Sequence, residues 1–476
     1  MRLRCGVRKP KVPAIGICLT LWAALIALGT AEAASVTDDG APNGAVAEGT
    51  PSPTAFSPGS WVADLRDARQ RLQTEGFTLG FQEQSELWAN LRGGGHQGTS
   101  YNGLTTAKLD VDLSQAFGWH GAEFLAEAFD IHGHGPTRSL VGNQQIVSNI
   151  EATPSIKLYD LWLDQKLFNG LLSVRVGQEG ANDEMMTTAY GSLFLNSSFG
   201  FPGMPAADLP SGGPNYPMAT PFARVQASPD GHITVVGAVY NGDPAPPGSG
   251  DPQIRDRNGT AFRLNDHTLS FAELWYSPDG SAAPKLPTTY KIGGWYASNR
   301  FADQRLSITG SLLADPTGSN VPLTHRGDWA LYGIIDQRVW QSDETGDRGI
   351  GVFLQIMGGP SDRNLSNLFF EGGFNWRGPF ASRPTDVAGI AFSYLGISPA
   401  ARAFSRDLVS FGRAHSTYAS NETVLESTYN APIFEWLILQ PDLQLVLNPN
   451  AGLPSNFGTH PLSDSVVVGL RIIVNL

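Results

Sequence analysis

From about residue 77 to its last residue the chain repeats one pattern: short segments in which apolar and polar side chains alternate, separated by loops rich in Gly, Pro, Asn and Asp. Alternation of period two puts successive side chains on opposite faces of a β-strand. Leu109, Val111 and Leu113 oppose Lys108, Asp110 and Asp112; Leu172, Val174 and Val176 oppose Ser173 and Arg175; Ala223, Val225 and Ala227 oppose Arg224 and Gln226. Further on, Ile350, Val352, Leu354 and Ile356 oppose Gly351, Phe353 and Gln355, and Ala388, Ile390, Phe392 and Tyr394 oppose Gly389, Ala391 and Ser393. The last segment is the clearest, with Val466, Val468, Leu470, Ile472, Val474 and Leu476 on one face and Gly469, Arg471 and Asn475 on the other. About 16 such segments occur, each near the roughly 9–11 residues of a tilted transmembrane strand.

A soluble β-sandwich would alternate in the same way. Three features favour a closed barrel in a membrane. The sequence ends on an apolar-alternating strand, aromatic pairs are expected near strand ends (Tyr159 and Trp162, Trp275 and Tyr276, Trp295 and Tyr296), and no covalent staple is available. Closure satisfies every backbone donor and acceptor inside lipid, so the apolar faces would point outward and the polar sets would line a lumen. The expected fold is therefore all-β: a transmembrane antiparallel β-barrel of about 16 strands. A helical membrane bundle is excluded, because mean hydropathy is −0.14 and no run after residue 30 approaches 18 uninterrupted apolar residues.

The first 33 residues read as a secretory signal, with Arg2, Arg4, Arg8, Lys9 and Lys11 before an apolar core from Ala14 to Leu28 and an Ala31-Glu32-Ala33 cleavage site. Both cysteines, Cys5 and Cys18, fall inside it, so the exported protein is expected to have no disulfide, thiolate metal site or cysteine nucleophile. Removing these residues leaves 27 Lys and Arg against 43 Asp and Glu, a balance that argues against nucleic acid as a partner. Residues 34–60 are rich in Ala, Gly, Pro, Ser and Thr and read as a flexible segment. In WVADLRDARQRL, Trp61, Leu65, Ala68 and Leu72 recur at helical spacing, which predicts a short amphipathic helix within 61–76. The barrel domain is expected over 77–476.

Several stretches resemble the carbohydrate-selective porin family, the OprB-type porins of Gram-negative outer membranes. They are EQSELWANLRGGG at 83–95, YDLWLDQ at 159–165, RVGQ at 175–178, LNSSFG at 195–200, FEGGFNWRGPFASRPTD at 370–386 and ETVLESTYNAPIFEWLILQPDLQLVLNP at 422–449. The resemblance implies a 16-stranded outer-membrane barrel that passes monosaccharides and small oligosaccharides by diffusion into the periplasm, with no cofactor. Partners would be small sugars and outer-membrane lipid, with a homotrimer left open and nucleic acid not expected. Two positions depart from the family pattern: Leu476 stands where an aromatic residue is expected, and the loop at 241–259 is enlarged. An exported all-β carbohydrate-active enzyme or carbohydrate-binding protein is the alternative.

Sugars bind through hydroxyl pairs to planar polar side chains and through C–H faces to aromatic rings. The candidate pore-lining residues are Lys108, Asp110, Asp112, Asp160, Asp164, Lys166, Arg175, Arg224, Arg338, Glu371 and Arg471, a mixture of acids and bases that would make a neutral, hydrogen-bonding constriction. Arg175 is the first choice for the eyelet, because its neighbours in RVGQ are small and the resemblance covers it. Gln440-Pro441-Asp442-Leu443-Gln444 puts a proline in a strand, which predicts a bulge or an edge at a rim with a structural role. Arg377, Arg383 and Asp386 are expected to hold a turn by charge pairs, with a pore-mouth site as the alternative. His132 and His134 have H-x-H spacing on an expected Gly/Pro loop, but no third ligand is near, and Arg326-Gly-Asp328 reads as a chance match to an adhesion signal. No nucleophile-elbow, Walker or dinucleotide pattern occurs, and nothing marks one carboxylate pair for catalysis, so no enzyme is expected.

Overall fold

The computed structural model describes residues 68–280, 286–342 and 348–475. Its strands are β1 (Phe77–Gly94), β2 (Gly98–Asp112), β3 (Ala122–His134), β4 (Ser155–Leu167), β5 (Leu172–Glu179), β6 (Thr220–Ala227), β7 (Ile233–Asn241) and β8 (Thr268–Tyr276). They continue as β9 (Thr289–Ser307), β10 (Pro322–Gln341), β11 (Gly349–Gly358), β12 (Ser366–Arg377), β13 (Val387–Ile397), β14 (Asn421–Phe434), β15 (Leu437–Leu447) and β16 (Ser463–Asn475). Each strand pairs antiparallel with its neighbours in sequence, and β16 returns to β1 to close the barrel. In that closing seam Leu87 faces Leu470 and Glu86 faces Arg471. A closed ladder leaves no sheet edge, which is what a β-structure in hydrocarbon requires.

Parity follows the sequence pattern. Leu87, Ile156, Val176, Val225, Val239, Leu274, Ile292, Leu331, Ile356, Ile390 and Leu425 are exposed on the outer wall. In a soluble protein such a continuous apolar surface would be a liability; in lipid it is the face that stabilises insertion. Connections at one end are short, as at 168–171 and 435–436, whereas 135–154, 180–219, 242–267 and 398–420 lie at the other. Before β1 a helix runs over 68–74 in the described residues; the rest of the expected helix, 61–67, the expected signal and the 34–60 segment lie outside them. No described helix is long and apolar enough to cross a membrane.

Three expectations are corrected. Of the aromatic pairs expected near strand ends, Trp275 and Tyr276 do close β8, but Tyr159 and Trp162 lie within β4 and Trp295 and Tyr296 within β9; Tyr159, Trp295 and the partly buried Trp162 and Trp275 turn into the barrel. Pro441 makes neither a bulge nor a rim: β15 stays in register with β16 on both sides of it, with Pro441 opposite Leu470, and the missing N–H falls in a short gap of the β14 ladder between Thr428–Asp442 and Ala431–Leu439. His132 and His134 sit in the last turn-free residues of β3, not on a loop, and no group of three metal-ligating side chains is present among the described residues. Of the expected charge-paired turn, Arg383 Nε lies 2.6 Å from Asp386, whereas Arg377 ends β12 with its Nε buried and unpartnered.

Candidate functional site

The lumen is narrowed by the β5–β6 loop (180–219), whose first half is stitched along the inner wall by inward polar side chains on β6, β8, β10, β12, β14 and β15. Glu184 accepts from Arg224 Nε on β6 at 2.8 Å, and the Met186 N–H donates to Glu273 on β8 at 2.8 Å. The Ala189 and Tyr190 N–H groups donate to Asp336 on β10 at 3.0 and 3.2 Å, and Asn375 on β12 donates to the Tyr190 carbonyl at 2.8 Å. Gln440 on β15 donates to the Leu193 carbonyl, and Glu426 on β14 accepts from the Leu195 and Asn196 N–H groups at 2.5 and 3.0 Å. A loop inside a barrel must satisfy its backbone there, and Glu273, Asp336, Asn375, Glu426 and Gln440 do so. The second half buries Met204 and Leu209 against Phe222, Phe271, Trp295 and Tyr332 of the wall.

The β3–β4 loop (135–154) covers the seam. Glu422 on β14 accepts from the Gln144 and Gln145 N–H groups, both at 2.8 Å, and Gln444 on β15 donates to the Val147 carbonyl at 2.9 Å. Glu86 is fully buried there and accepts from Trp88, Asn102, Ser148 and Arg471, while Arg471 also reaches Asn149. At the root of this loop Glu151 accepts from the Thr137 and Arg138 N–H groups, each at 3.0 Å; burial nevertheless pushes its carboxyl up to about 7.

The first half of the inserted loop leaves one charged cluster partly open. Arg175 on β5 lies with its guanidinium carbon 4.0 Å from the Trp162 ring centroid, its Nε 3.0 Å from Asp164 and its Nη1 2.8 Å from Glu179. Arg224 bridges Asp164 at 3.3 Å and Glu184 at 2.8 Å and takes a further partner in Ser173. The Arg175 side chain keeps 19% exposure, against 3% for Arg224, so the first can meet a permeant and the second holds the frame. Two guanidiniums face three carboxylates over an indole. That set offers bidentate donors, acceptors and a flat apolar face together, which suits a polyhydroxylated ring better than a single-sign ring would. A second cation lies over an indole at Lys291 and Trp275, 4.5 Å apart.

The remaining sequence-predicted residues all lie on inward positions but do not form one ring. Lys108, Asp110, Asp112 and Lys166 gather toward the short-turn end, where Lys108 pairs with Asp110 at 3.5 Å and Lys166 with Glu123 at 2.6 Å. Asp110 and Asp112 line a cavity of about 280 Å³ with Gln73, Gln115, Glu123 and Trp162. Asp112 also accepts from Ser114 and Gln115 as the cap of the helix Leu113–Phe117. Asp160 is buried at a bulge, Arg338 pairs with Asp279 in a turn at 2.9 Å, and Glu371 is fully buried with neither oxygen partnered within the protein. Arg471, expected to face water, is consumed by the Glu86 pair. Glu86, Glu273, Asp336, Glu422 and Glu426 escaped sequence reasoning as loop anchors; the only available signal was an acid at an inward position of an otherwise apolar segment.

A closed barrel with an apolar outer wall, a polar inner wall and a loop folded into its lumen defines an outer-membrane porin. The family model for the carbohydrate-selective porin, OprB family, matches residues 96–476, and the chain belongs to that family. It is an outer-membrane sugar channel, and membership of a porin family makes it a channel rather than an enzyme. It is 23% identical over 442 residues to Porin B of Pseudomonas aeruginosa PAO1, covering 88% of this chain and 92% of that one. The high-pH structure of Pseudomonas putida OprB is similar at a TM-score of 0.76 and 19% identity, over 87% of this chain and 97% of that one. The low-pH structure of the same protein gives a TM-score of 0.51 at 15% identity, over 88% and 97%.

Proposed function

We propose that this channel selects sugars at the Arg175–Trp162 cluster, passing monosaccharides and small oligosaccharides passively into the periplasm. The observation that carries the reading is the partly open Arg175 guanidinium held over the Trp162 ring and flanked by Asp164, Glu179 and Glu184. A sugar ring entering there can exchange hydroxyl contacts with the guanidinium edge and the carboxylates while its C–H face meets the indole. The exposed pairs at Lys108–Asp110 and Lys166–Glu123 keep the exit toward the short-turn end wet and of mixed charge, so a neutral solute leaves without a single-sign trap. The catalytic alternative is less well supported, because Asp164, Glu179 and Glu184 are tied to arginines rather than poised as an acid and nucleophile. Export would use the 1–33 signal, with 34–60 as a flexible segment ahead of the helix and the barrel from residue 77.

Liposome swelling over sugars of graded size tests this. Rates should fall steeply from monosaccharides to larger sugars, and Arg175→Ala and Trp162→Ala should each lower monosaccharide selectivity several-fold while ion conductance is kept or raised. Unchanged size and sugar dependence in both variants would move the selecting site elsewhere in the lumen.

A further inference from the structure

The charges around Arg175 and Trp162 do not cancel. Asp164, Glu179 and Glu184 already outnumber Arg175 and Arg224, and three further carboxylates lie close by. Asp160 precedes Trp162 by two residues on β4, Asp183 stands at the start of the inserted loop, and Glu127 is an inward residue of β3 opposite Lys108. Asp160 feels the charges of Asp183, Glu179 and Glu127, and Asp183 those of Glu179 and Glu127. The neighbouring lysines are taken: Lys108 pairs with Asp110 at 3.5 Å and Lys166 with Glu123 at 2.6 Å.

Two observations separate this group from an ordinary wet acidic surface. Asp160 and Glu179 are only 7% and 1% exposed, yet Asp160 Oδ1 and Glu179 Oε1 have no hydrogen-bond partner in the protein. A buried carboxylate oxygen without a donor is costly, and a cation alongside offsets that cost. Asp183, by contrast, is exposed on the loop inside the barrel. Its position is fixed: Asn182 Nδ2 donates to it at 3.2 Å, and the Asn182 carbonyl accepts from Tyr159 OH at 2.8 Å and from the Tyr216 N–H at 3.0 Å. The result is one accessible carboxylate with two incompletely compensated ones behind it. Trp162 also lines the cavity of about 280 Å³ toward the short-turn end, where Asp110, Asp112 and Glu123 again outnumber Lys108 and Lys166.

We propose that Asp183, backed by Asp160, Glu179 and Glu127, is a cation subsite beside the Arg175–Trp162 cluster, and that the channel takes amino sugars bearing a primary ammonium in preference to neutral sugars of the same size. The inference rests on sugars passing at that cluster. A sugar ring held over Trp162 and the Arg175 edge brings a ring substituent toward Asp183, where an ammonium finds charge-assisted acceptors that a hydroxyl uses less well. A bare metal ion fits less well, because no group of three His, Cys, Asp or Glu side chains is set to hold one among the described residues. The same excess of acid repels sugar acids and concentrates cations in the lumen.

Flux through the full-length protein in liposomes tests the subsite with solutes of similar size and different charge. At about pH 6, where an amine of this kind is protonated, D-glucosamine should cross roughly threefold or more faster than D-glucose, and D-glucuronate more slowly than either. The glucosamine-to-glucose ratio should fall toward one in about 1 M salt, which screens charge beyond roughly 3 Å. The Asp183→Asn/Glu127→Gln double variant, if heat-modifiable and folded, should bring the ratio to about one at low salt. A ratio of one in the unsubstituted protein, or a ratio unaltered in the double variant, would overturn the subsite. Size dependence reads the Arg175–Trp162 site separately: a ratio of one with a steep size dependence refutes the subsite alone, whereas a flat size dependence refutes the selecting site itself. If the double variant does not fold, the zero-current potential of the unsubstituted channel in a KCl gradient decides. Preference for K⁺ supports the subsite; no preference, or preference for Cl⁻, overturns it.

Discussion

Replacing Arg471 by leucine tests whether the charge next to the closing seam is a pore-lining group or a structural one. Periodicity alone made Arg471 a water-facing lumen residue whose loss would change transport more than stability, and Leu470 the lipid-facing neighbour. The parity holds, but Arg471 is buried, with Nε 2.6 Å and Nη2 2.5 Å from Glu86 Oε1 and a further contact to Asn149 of the β3–β4 loop. Arg471→Leu would leave the fully buried Glu86 with three donors on Oε2 and no cation on Oε1. Removing one partner of a buried pair costs about 3–5 kcal/mol, and the surviving hydrogen bonds place this case near the lower end. A loss of about 3 kcal/mol is more than a hundredfold in the folding equilibrium. Leu470→Arg puts a charge on the lipid face in the middle of β16 and should cost roughly 2–4 kcal/mol. Both variants should therefore shift the urea midpoint of reversible folding in lipid vesicles, followed by tryptophan fluorescence, by comparable amounts. Adding Glu86→Gln to Arg471→Leu should restore about half of the loss, since no buried charge then lacks a partner, whereas adding it to Leu470→Arg should not help. An Arg471→Leu midpoint within error of the wild type would show that Glu86 does not need its cation, and the tethering role assigned to this pair would fall.

Asp336→Ala removes the acceptor for the Ala189 and Tyr190 N–H groups and should loosen the inserted loop at a cost of about 1–3 kcal/mol; planar-bilayer recordings should show larger and noisier conductance with a stable barrel. Glu151, raised to about 7 from 4.5, contributes stability to the β3–β4 loop that is fully present below about pH 4.5 and is lost as pH rises through about 7. Hydrogen exchange over 136–151 should accordingly quicken between those values, and Glu151→Gln should flatten the dependence. Gly93 has φ +71° and an added Cβ would fall 1.9 Å from the Asp464 carbonyl, so Gly93→Ala should lower the urea midpoint measurably while Gly250→Ala, with open space around it, should shift it less.

Period-two alternation determined the strands and their two faces; because a soluble sandwich alternates in the same way, the barrel also needed the terminal apolar strand, the missing covalent staple and the family resemblance. The outward set Val466 to Val474 and the inward Arg471 were legible for that reason, as was the pairing of the last strand with the first. Aromatic position was only partly legible: alternation puts Trp162 on the face of Asp160 and Asp164, whereas Tyr159, the neighbour of Asp160, also turns inward because β4 carries a bulge there. The inward charges posed the deeper problem. Sequence placed Arg175, Arg224, Glu371 and Arg471 on one side of the wall, yet their roles depend on two loops that fold back inside it. Where the 180–219 and 135–154 loops lie over an acid or a base, that group becomes an anchor satisfied by backbone; where they leave a gap, as beside Trp162, it stays partly exposed. Contacts of that kind join residues hundreds of positions apart, such as Glu86 and Arg471, and no local pattern encodes them. Only the folded loops decide which inward charge is wall and which is channel.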